Sequence, residues 1–332
     1  MELCGIPRID DLMAATPTAK PIQKGDPDAQ TVGVVQQMLT GLGLGGLPNM
    51  LKSDFGVFGP ATTAAVQSFR AQCGLPAGGA IDSACLQAMA TANATSAILS
   101  RGYMTLVLDF EYSGLGKILS VTAQMEGAGK FGALNLNTDK AGLSFGLIQW
   151  AQKPGRLAEL LQAFQTASTA DFVRILGDGD AGVASGLLAH TRLPHGGADG
   201  NGVTVNPAYD LVHDPWVIRF RQAAQFKLFQ QVQVKTALND FASSQKFLQA
   251  YAPQFTTERA VGFMLDVANQ FGDTGARGLY KVVTKPGMTV PQLLQAVADE
   301  SVARIHDPFK AGTQARREHF LTTSFLSDGP FQ

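Results

Sequence analysis

Charged residues are scarce in this chain, and the two signs nearly cancel. Asp, Glu, Lys and Arg make up 16% of the 332 residues, and the formal net charge is −1. A surface that binds nucleic acid normally carries an excess of basic residues, so this composition gives that role no support. We therefore expect no nucleic-acid partner, and we expect a monomer.

Long apolar runs are also missing, although apolar residues make up 45% of the chain. No stretch reaches the ~18 uninterrupted apolar residues of a membrane-spanning helix. The opening stretch, "MELCGIPRIDDLMAATPTAK", has no basic start followed by an apolar core. We therefore expect no membrane span and no standard secretory signal, with synthesis in the cytoplasm.

Cysteine is rare, and the spacing of Cys4, Cys73 and Cys85 does not suit a metal site. Two separate thiols are the favoured interpretation of Cys73 and Cys85, and a disulfide between them stays open. None of the 5 histidines belongs to an HExxH or similar zinc pattern, so we expect no metal and no cofactor. His195 and Asp199, which share a glycine-rich loop, form the one arrangement worth checking for a metal.

Composition and apolar spacing divide the chain into four segments. We predict an extended leader at residues 1–23, a compact module at 24–92, a linker at 93–102 and a larger domain at 103–332. Apolar stripes recur at helical spacing along the larger domain. The exception is Met125 to Trp150, which is rich in turn residues and short alternating segments. The predicted fold class is therefore mainly α, an α+β arrangement with a small β-hairpin.

The pattern of the compact module predicts three short helices. Apolar residues of the first recur at helical spacing, namely Val32, Val35, Leu39 and Leu42. Pro60 stands near the start of the second helix, because proline suits the first turn. Asp82 or Ser83 is the expected N-cap of the third.

The motifs of this module are, in order, "VVQQML", "GVFGPATTAAVQSF" and "GGAID". They resemble the three-helix peptidoglycan-binding domain of bacterial and phage wall hydrolases. The resemblance implies that the module binds peptidoglycan, through either its glycan or its stem peptide. The segment "GLGGLPNMLKSD" before Phe55 is longer than the usual loop of that family.

Glu126 and Asp139 are the two acidic residues of the turn-rich stretch. The pattern of "GLGKILSVTAQMEG" predicts a helix that ends at Gly127, with Glu126 in its last turn. A carboxyl group there meets the negative end of the helix dipole, which favours the protonated form that a general acid needs. Asp139 follows Asn137 and Thr138 in a polar setting, so we expect it to stay ionised. A carboxyl pair in contrasting settings is typical of glycoside hydrolysis.

Taken singly, Glu126 fits an ordinary helix end and Asp139 an ordinary turn residue. The order of helix, Glu126, hairpin, Asp139, Ser144 and apolar helix favours the catalytic interpretation. That order resembles the lysozyme superfamily, and most nearly the family 46 chitosanases, in "LSVTAQMEG" and in the Gly-apolar-apolar run of "FGLIQW". The resemblance implies that Glu126 is the general acid, Asp139 the general base and Ser144 a support for the attacking water. Ser144 stands where those enzymes have threonine, and the segment between the carboxylates is shorter.

A weaker part of the resemblance concerns Asp266 in "RAVGFMLDVANQFGDTGARGL". It implies a buried aspartate that orients the catalytic glutamate through an ionic network, although a purely structural ion pair is equally open. The candidate partners are Arg304, Arg316 and Arg317. The expected sugar contacts are Asn137, Gln149, Asn269 and Gln270.

The expected activity is hydrolysis of the β-1,4 glycosidic bonds of peptidoglycan by an inverting acid/base mechanism. A chitosanase-type enzyme, a lytic transglycosylase and a non-catalytic wall-binding protein are the alternatives. Without a standard signal, such an enzyme would reach the wall as a phage endolysin released at lysis, or as a toxin exported by dedicated machinery.

Overall fold

A computed structural model describes residues 7–48, 52–91, 113–127, 129–193, 197–323 and 326–332. Within these ranges the chain forms thirteen α-helices and one three-stranded antiparallel sheet. The predicted fold class, mainly helical with a small β element, is therefore confirmed. No helix in these ranges has the length and apolar character needed to cross a membrane.

The chain divides into two compact units. The first takes the described residues of Met1–Val107 and Glu126–Thr236, and the second takes those of Leu108–Met125 and Ala237–Gln332. The division between Met125 and Glu126 falls inside the last turn of a helix. The predicted linker at 93–102 lies outside the described residues.

Four helices lie in the described residues of the N-terminal part of the first unit. They are α1 (Pro7–Met13), α2 (Ala29–Gly41), α3 (Pro60–Gln72) and α4 (Ser83–Thr91). Pro60 is the first residue of α3, as predicted. Of the two expected N-caps of α4, Asp82 provides the cap, because its Oδ1 accepts a hydrogen bond from the Cys85 N–H at 2.8 Å.

The segment before α2 differs from the extended leader predicted for residues 1–23. Its residues Pro7–Met13 form α1, which packs against α4. Ile9 and Leu12 lie three positions apart and are buried, so one face of this turn of helix enters the core. Ile22 then pairs with Ile81 in an antiparallel bridge. The described part of this segment is thus packed into the module by burial of apolar side chains.

The remaining elements follow from residue 113 onward. The first unit has the end of α5 (Ser113–Gly127), then β1 (Leu134–Leu136), β2 (Leu143–Phe145), β3 (Trp150–Ala151), α6 (Arg156–Ala167), α7 (Thr169–Leu176), α8 (Ala181–Arg192), a 3-10 turn (Pro207–Tyr209), α9 (Trp216–Ala224) and the start of α10 (Lys227–Tyr251). The second unit has most of α5, the rest of α10, α11 (Glu258–Val283), α12 (Val290–Ala303) and α13 (Lys310–Thr322).

The run "FGLIQW" differs from the strand-to-helix transition that its pattern predicts. Gly146 and Gln149 have positive φ angles of 83° and 54°, which a right-handed helix does not contain. The chain therefore turns between them, and Trp150–Ala151 pairs back on β2 as a third strand. The next helix, α6, begins only at Arg156.

An aromatic cluster forms the core beneath the sheet. The ring of Phe145 in β2 lies 5.0 Å from that of Phe220 and 5.7 Å from that of Phe229, measured between centroids. Phe164 of α6 stacks on Phe229 at 4.4 Å. Burying such rings stabilises a domain by the hydrophobic effect and by ring–ring contact. The cluster holds β2 in place, and β2 is the central strand of the sheet.

Candidate active site

Glu126 occupies the last turn of α5 and is half-buried. The helix ends at the next residue, Gly127, as predicted. A Cβ atom at Gly127 would lie 2.4 Å from the Cβ of Ala133, so no larger residue fits there without displacement. Ala133 immediately precedes β1. The chain segment that carries Glu126 is therefore packed directly against the base of the hairpin.

Asp139 lies in the turn that joins β1 to β2, where its side chain is exposed. Its Oδ1 accepts a hydrogen bond from the Ala141 N–H at 3.1 Å. The turn is also stabilised by Asn135, whose Oδ1 accepts from the Thr138 N–H at 2.9 Å and from the Thr138 hydroxyl at 2.7 Å. The carboxylate is thus held by a turn with several internal hydrogen bonds and remains accessible to water.

Ser144 is the middle residue of β2 and pairs with Asn135 on one side and Ala151 on the other. Its side chain is almost fully buried, with 3% of the residue surface exposed. Ser144 and Asp139 therefore belong to one hairpin but differ strongly in their access to solvent.

Gln233 is a buried residue of α10 that the sequence-based interpretation did not include. Its Nε2 donates to the Phe131 carbonyl at 3.1 Å, and its Oε1 accepts from the Leu147 N–H at 3.1 Å. A Cβ at Gly146 would lie 2.4 Å from the same Oε1. Gln233 therefore joins the segment after Glu126 to the turn after β2. Its position between the apolar residues 232 and 234 is the sequence signal that could have identified it.

Two of the expected sugar contacts, Asn137 and Gln149, direct their amides at the backbone. The Nδ2 of Asn137 donates to the Asn201 carbonyl at 2.7 Å, and its Oδ1 accepts from the Gly142 N–H at 3.0 Å. The Nε2 of Gln149 donates to the carbonyls of Ala133 and Gly146, at 3.2 and 3.0 Å. Both amides therefore stabilise the loops around the hairpin.

The other two expected sugar contacts lie on α11 in the second unit. Gln270 accepts a hydrogen bond from an Arg317 Nη atom, and its Nε2 donates to the Thr313 hydroxyl at 3.2 Å. Asn269 is half-buried beside it. Gln270 thus belongs to the surroundings of the buried arginines.

Asp266 is fully buried on α11 and is paired with two arginines of α13. Arg316 contacts both carboxylate oxygens, with Nε–Oδ2 at 2.8 Å and Nη2–Oδ1 at 2.7 Å. The Nη1 atom of Arg317 lies 2.7 Å from Oδ2, and its Nε donates to the Ser301 hydroxyl at 2.9 Å. Charge-assisted bonds of this geometry offset the cost of removing the three charges from water.

Arg304, the third candidate partner of Asp266, pairs elsewhere. It is the C-cap residue that follows α12, and it forms an ion pair with Glu300, one turn earlier, at 2.8 Å between Nη2 and Oε1. The Arg304 side chain is 42% exposed, so the pair is a surface contact of the kind common on helices. The prediction that Arg304 pairs with Asp266 is therefore wrong.

No group of three or more His, Cys, Asp or Glu side chains in the described part of the chain could hold a metal ion. Of the pair considered for a metal, His195 lies outside the described residues. Asp199 caps a tight turn, because its Oδ1 accepts from the N–H groups of Asn201 and Val203 at 2.7 and 3.2 Å. Of the cysteines, Cys4 is likewise outside the described ranges, and Cys73 and Cys85 are free thiols.

Comparison with known proteins identifies the N-terminal module. Residues 28–89, which span α2 to α4, match the peptidoglycan binding domain family. Among solved structures, a mutant chitosanase from Bacillus subtilis MY002 complexed with 6 GlcN matches with 16% identity and a TM-score of 0.43, over 63% of this chain and 83% of that chain. No curated protein matches the chain.

Proposed function

We propose that this chain, which carries a peptidoglycan-binding domain at residues 28–89, hydrolyses the glycan strand of peptidoglycan. The bond cleaved is the β-1,4 glycosidic bond between neighbouring amino sugars. Glu126 is the general acid and Asp139 the general base. Peptidoglycan is the ligand of the binding domain, and cell-wall degradation is the function of the whole chain.

One structural observation carries this proposal, namely that a single hairpin connects two carboxyl groups in contrasting settings. Glu126 is half-buried at a helix end, and the following Gly127 packs on Ala133 at the base of the hairpin. Asp139 is exposed in the turn at the other end of the same hairpin. Glycoside hydrolysis needs one carboxyl group that donates a proton and another that remains a base, and such a contrast of environments separates those two roles.

The proposed reaction is a single displacement. Glu126 gives its proton to the glycosidic oxygen as the bond from that oxygen to the anomeric carbon breaks. A water molecule attacks the anomeric carbon from the opposite side and gives its proton to Asp139. The proton on Asp139 passes to solvent and Glu126 takes one up, which restores both groups for the next cycle.

The binding domain increases the local concentration of the catalytic groups at the wall. Peptidoglycan is an insoluble polymer, and a tethered second site converts each later encounter into an intramolecular one. A chain of this design is suited to lysing bacteria, either as an endolysin or as an exported toxin.

Digestion of purified sacculi tests the proposal. The wild-type chain should release fragments with reducing amino-sugar ends, identified by mass spectrometry. Glu126→Gln should reduce the rate more than ~100-fold, because Gln cannot donate an acidic proton. Glu159→Gln, at an exposed position in the first turn of α6, is the matched control and should retain full activity. Both variants should pellet with sacculi as the wild type does.

The products separate the competing functions. Fragments with 1,6-anhydro ends would identify a lytic transglycosylase, which needs the glutamate but not the aspartate. Faster turnover of soluble chitosan than of sacculi would identify a chitosanase-type enzyme. Binding to sacculi without release of any sugar would leave a wall-binding protein and would contradict the hydrolase proposal.

A further inference from the structure

The glycine-rich loop of residues 197–205 has a defined hairpin-like structure. The Asp199 N–H donates to the Val203 carbonyl at 2.6 Å, and the Gly202 N–H donates to the Asp199 carbonyl at 3.0 Å. Ala198 pairs with Thr204 in an antiparallel bridge. With the Asp199 carboxylate capping the turn, this loop has the internal bonding of a rigid element.

The tip of this loop packs against the turn that carries Asp139. The Asn201 carbonyl accepts a hydrogen bond from the Asn137 Nδ2 at 2.7 Å. A Cβ at Gly202 would lie 2.2 Å from the Asn137 Oδ1 and 2.3 Å from the Lys140 carbonyl oxygen. Because Gly202 also has a φ angle of 82°, glycine is required there on both steric and conformational grounds.

A second contact lies on the other side of the turn, through the buried side chain of Gln152. Its Oε1 accepts from the Leu143 N–H at 3.1 Å, and its Nε2 donates to the Thr204 hydroxyl. A Cβ at Gly142 would lie 2.5 Å from this Oε1 and 2.5 Å from the Gly202 carbonyl oxygen. The loop therefore contacts the turn both before and after Asp139.

The turn needs such support because its backbone is strained. Asn137 and Lys140 have positive φ angles of 68° and 60°, and Gly142 has one of 75°. A residue other than glycine in this region persists only where surrounding contacts hold it. The side-chain amide of Asn137 bonds to Gly142 within the turn and to Asn201 in the loop.

From these contacts we infer that the loop at 197–205 is a clamp for the turn of Asp139, with Asn137 and Gly202 as positioning residues. This inference rests on the proposed function, in which Asp139 must hold water at the anomeric carbon. The amide of Asn137 then acts through Asp139 and not on the sugar. A displacement of about 1 Å at a catalytic group can lower the rate about 100-fold, so the clamp sets the turnover number.

Two variants and one control test the clamp. One variant changes the loop, the other changes the turn of Asp139, and the control changes a different residue of the loop. Gly202→Ala places a methyl group against Asn137 and Lys140, and Asn137→Gly removes the amide while tolerating the positive φ angle. Gly200→Ala is the control, because a Cβ at Gly200 would have no atom within 4 Å. Circular dichroism and thermal unfolding should show that all three full-length variants are folded.

The first readout is independent of activity. Hydrogen–deuterium exchange should become faster at the Ala141 amide in Gly202→Ala and Asn137→Gly, and should be unchanged there in Gly200→Ala. Unchanged exchange in all three would overturn the clamp, whether or not the chain is a hydrolase. Thus a failed clamp and a failed catalytic proposal give different results.

The second readout is the split between kcat and KM on soluble peptidoglycan fragments. We expect Gly202→Ala and Asn137→Gly to lower kcat about 10- to 100-fold with KM near that of the wild type, because a misplaced base weakens only the transition state. The double variant should lower kcat little further than either single variant, because both substitutions break the same contact between the loop and the turn. An unchanged kcat in these variants, with an inactive Asp139→Asn, would overturn the positioning role.

Discussion

The buried amide of Gln233 accepts a hydrogen bond from the Leu147 N–H at 3.1 Å, across a long separation in sequence. The same amide donates to the Phe131 carbonyl. One side chain on α10 thus satisfies two backbone groups that belong to the loops on either side of the hairpin. A buried backbone group without a partner is costly, so these two bonds restrain both loops.

Replacement of Gln233 by leucine should therefore destabilise the first unit. The variant keeps a similar volume but leaves the Leu147 N–H and the Phe131 carbonyl unpaired, at a cost on the order of 2–4 kcal/mol. Urea unfolding monitored by circular dichroism measures the change. Lys235→Leu, at an exposed position of the same helix, should change the unfolding free energy by less than about 0.5 kcal/mol. Equal midpoints for the two variants would show that the amide is not a structural restraint.

The ion pairs of Asp266 with Arg316 and Arg317 should respond strongly to loss of the Asp266 carboxylate. Asp266→Asn removes the buried carboxylate that pairs with Arg316 and Arg317, and breaking a buried ion pair in this way costs about 3–5 kcal/mol. Glu300→Gln breaks the surface pair with Arg304 and should cost less than about 0.5 kcal/mol. Thermal unfolding of both variants measures the two losses of stability. A small loss for Asp266→Asn would mean that the arginines reach solvent or another partner.

The two described cysteines should differ in reactivity. Burial raises the pKa of the Cys85 thiol from 9.0 to about 11, whereas Cys73 is exposed. At pH 8 iodoacetamide should modify Cys73 readily, and Cys85 more than about 100-fold more slowly, because the thiolate is the reactive form. Peptide mass spectrometry measures the two rates separately.

The same shift of the Cys85 pKa has a consequence for stability. The thiol loses its proton more easily in the unfolded chain, so its contribution is fully present below pH 9 and is lost as the pH rises towards about 11. Cys85→Ala should remove this part of the alkaline loss of stability. An unchanged pH profile in that variant would assign the loss to other groups.

Local features of the sequence were sufficient to predict several elements of the fold. Pro60 begins α3 and Gly127 ends α5, because helix ends depend on residues within one or two turns. Apolar spacing predicts helices in the larger domain, and on α6 the apolar residues from Leu157 to Phe164 are buried on one face. The third strand was not predicted, because it depends on a turn at Gln149. The positive φ angle of Gln149 accompanies a hydrogen bond from its amide to the Ala133 carbonyl, which is distant along the chain.

The contacts of the candidate site residues could likewise be predicted only in part. The sequence predicts which residue types could bind a sugar, but an amide such as that of Asn137 bonds a backbone carbonyl equally well. Its partner, Asn201, is distant along the chain, and so is Gln233 from Leu147. Contacts of this kind depend on the tertiary fold, which local spacing does not encode.

The stereochemistry of the product depends on how Asp139 acts. Inverting enzymes hold their two carboxyl groups about 6.5–9.5 Å apart to admit a water molecule, and retaining enzymes only about 5–5.5 Å apart. Asp139 is exposed in the turn at the tip of the hairpin, so water reaches its carboxylate. We therefore predict inversion. Asp139→Asn should lose most activity, more than ~100-fold, because an amide is not a base.

Ser144→Ala should lose less activity than Asp139→Asn, because Ser144 is almost fully buried and the proposed base, Asp139, is unchanged in that variant. Proton NMR of the first-formed reducing end measures the outcome directly, with the spectrum after mutarotation as the reference. Cleavage of a β-1,4 bond by single displacement must first yield the α anomer, because water enters opposite to the leaving oxygen. An initial β anomer would require a covalent intermediate and a second displacement. In that case Asp139 would be a nucleophile or a bystander, even if Glu126 remained the acid.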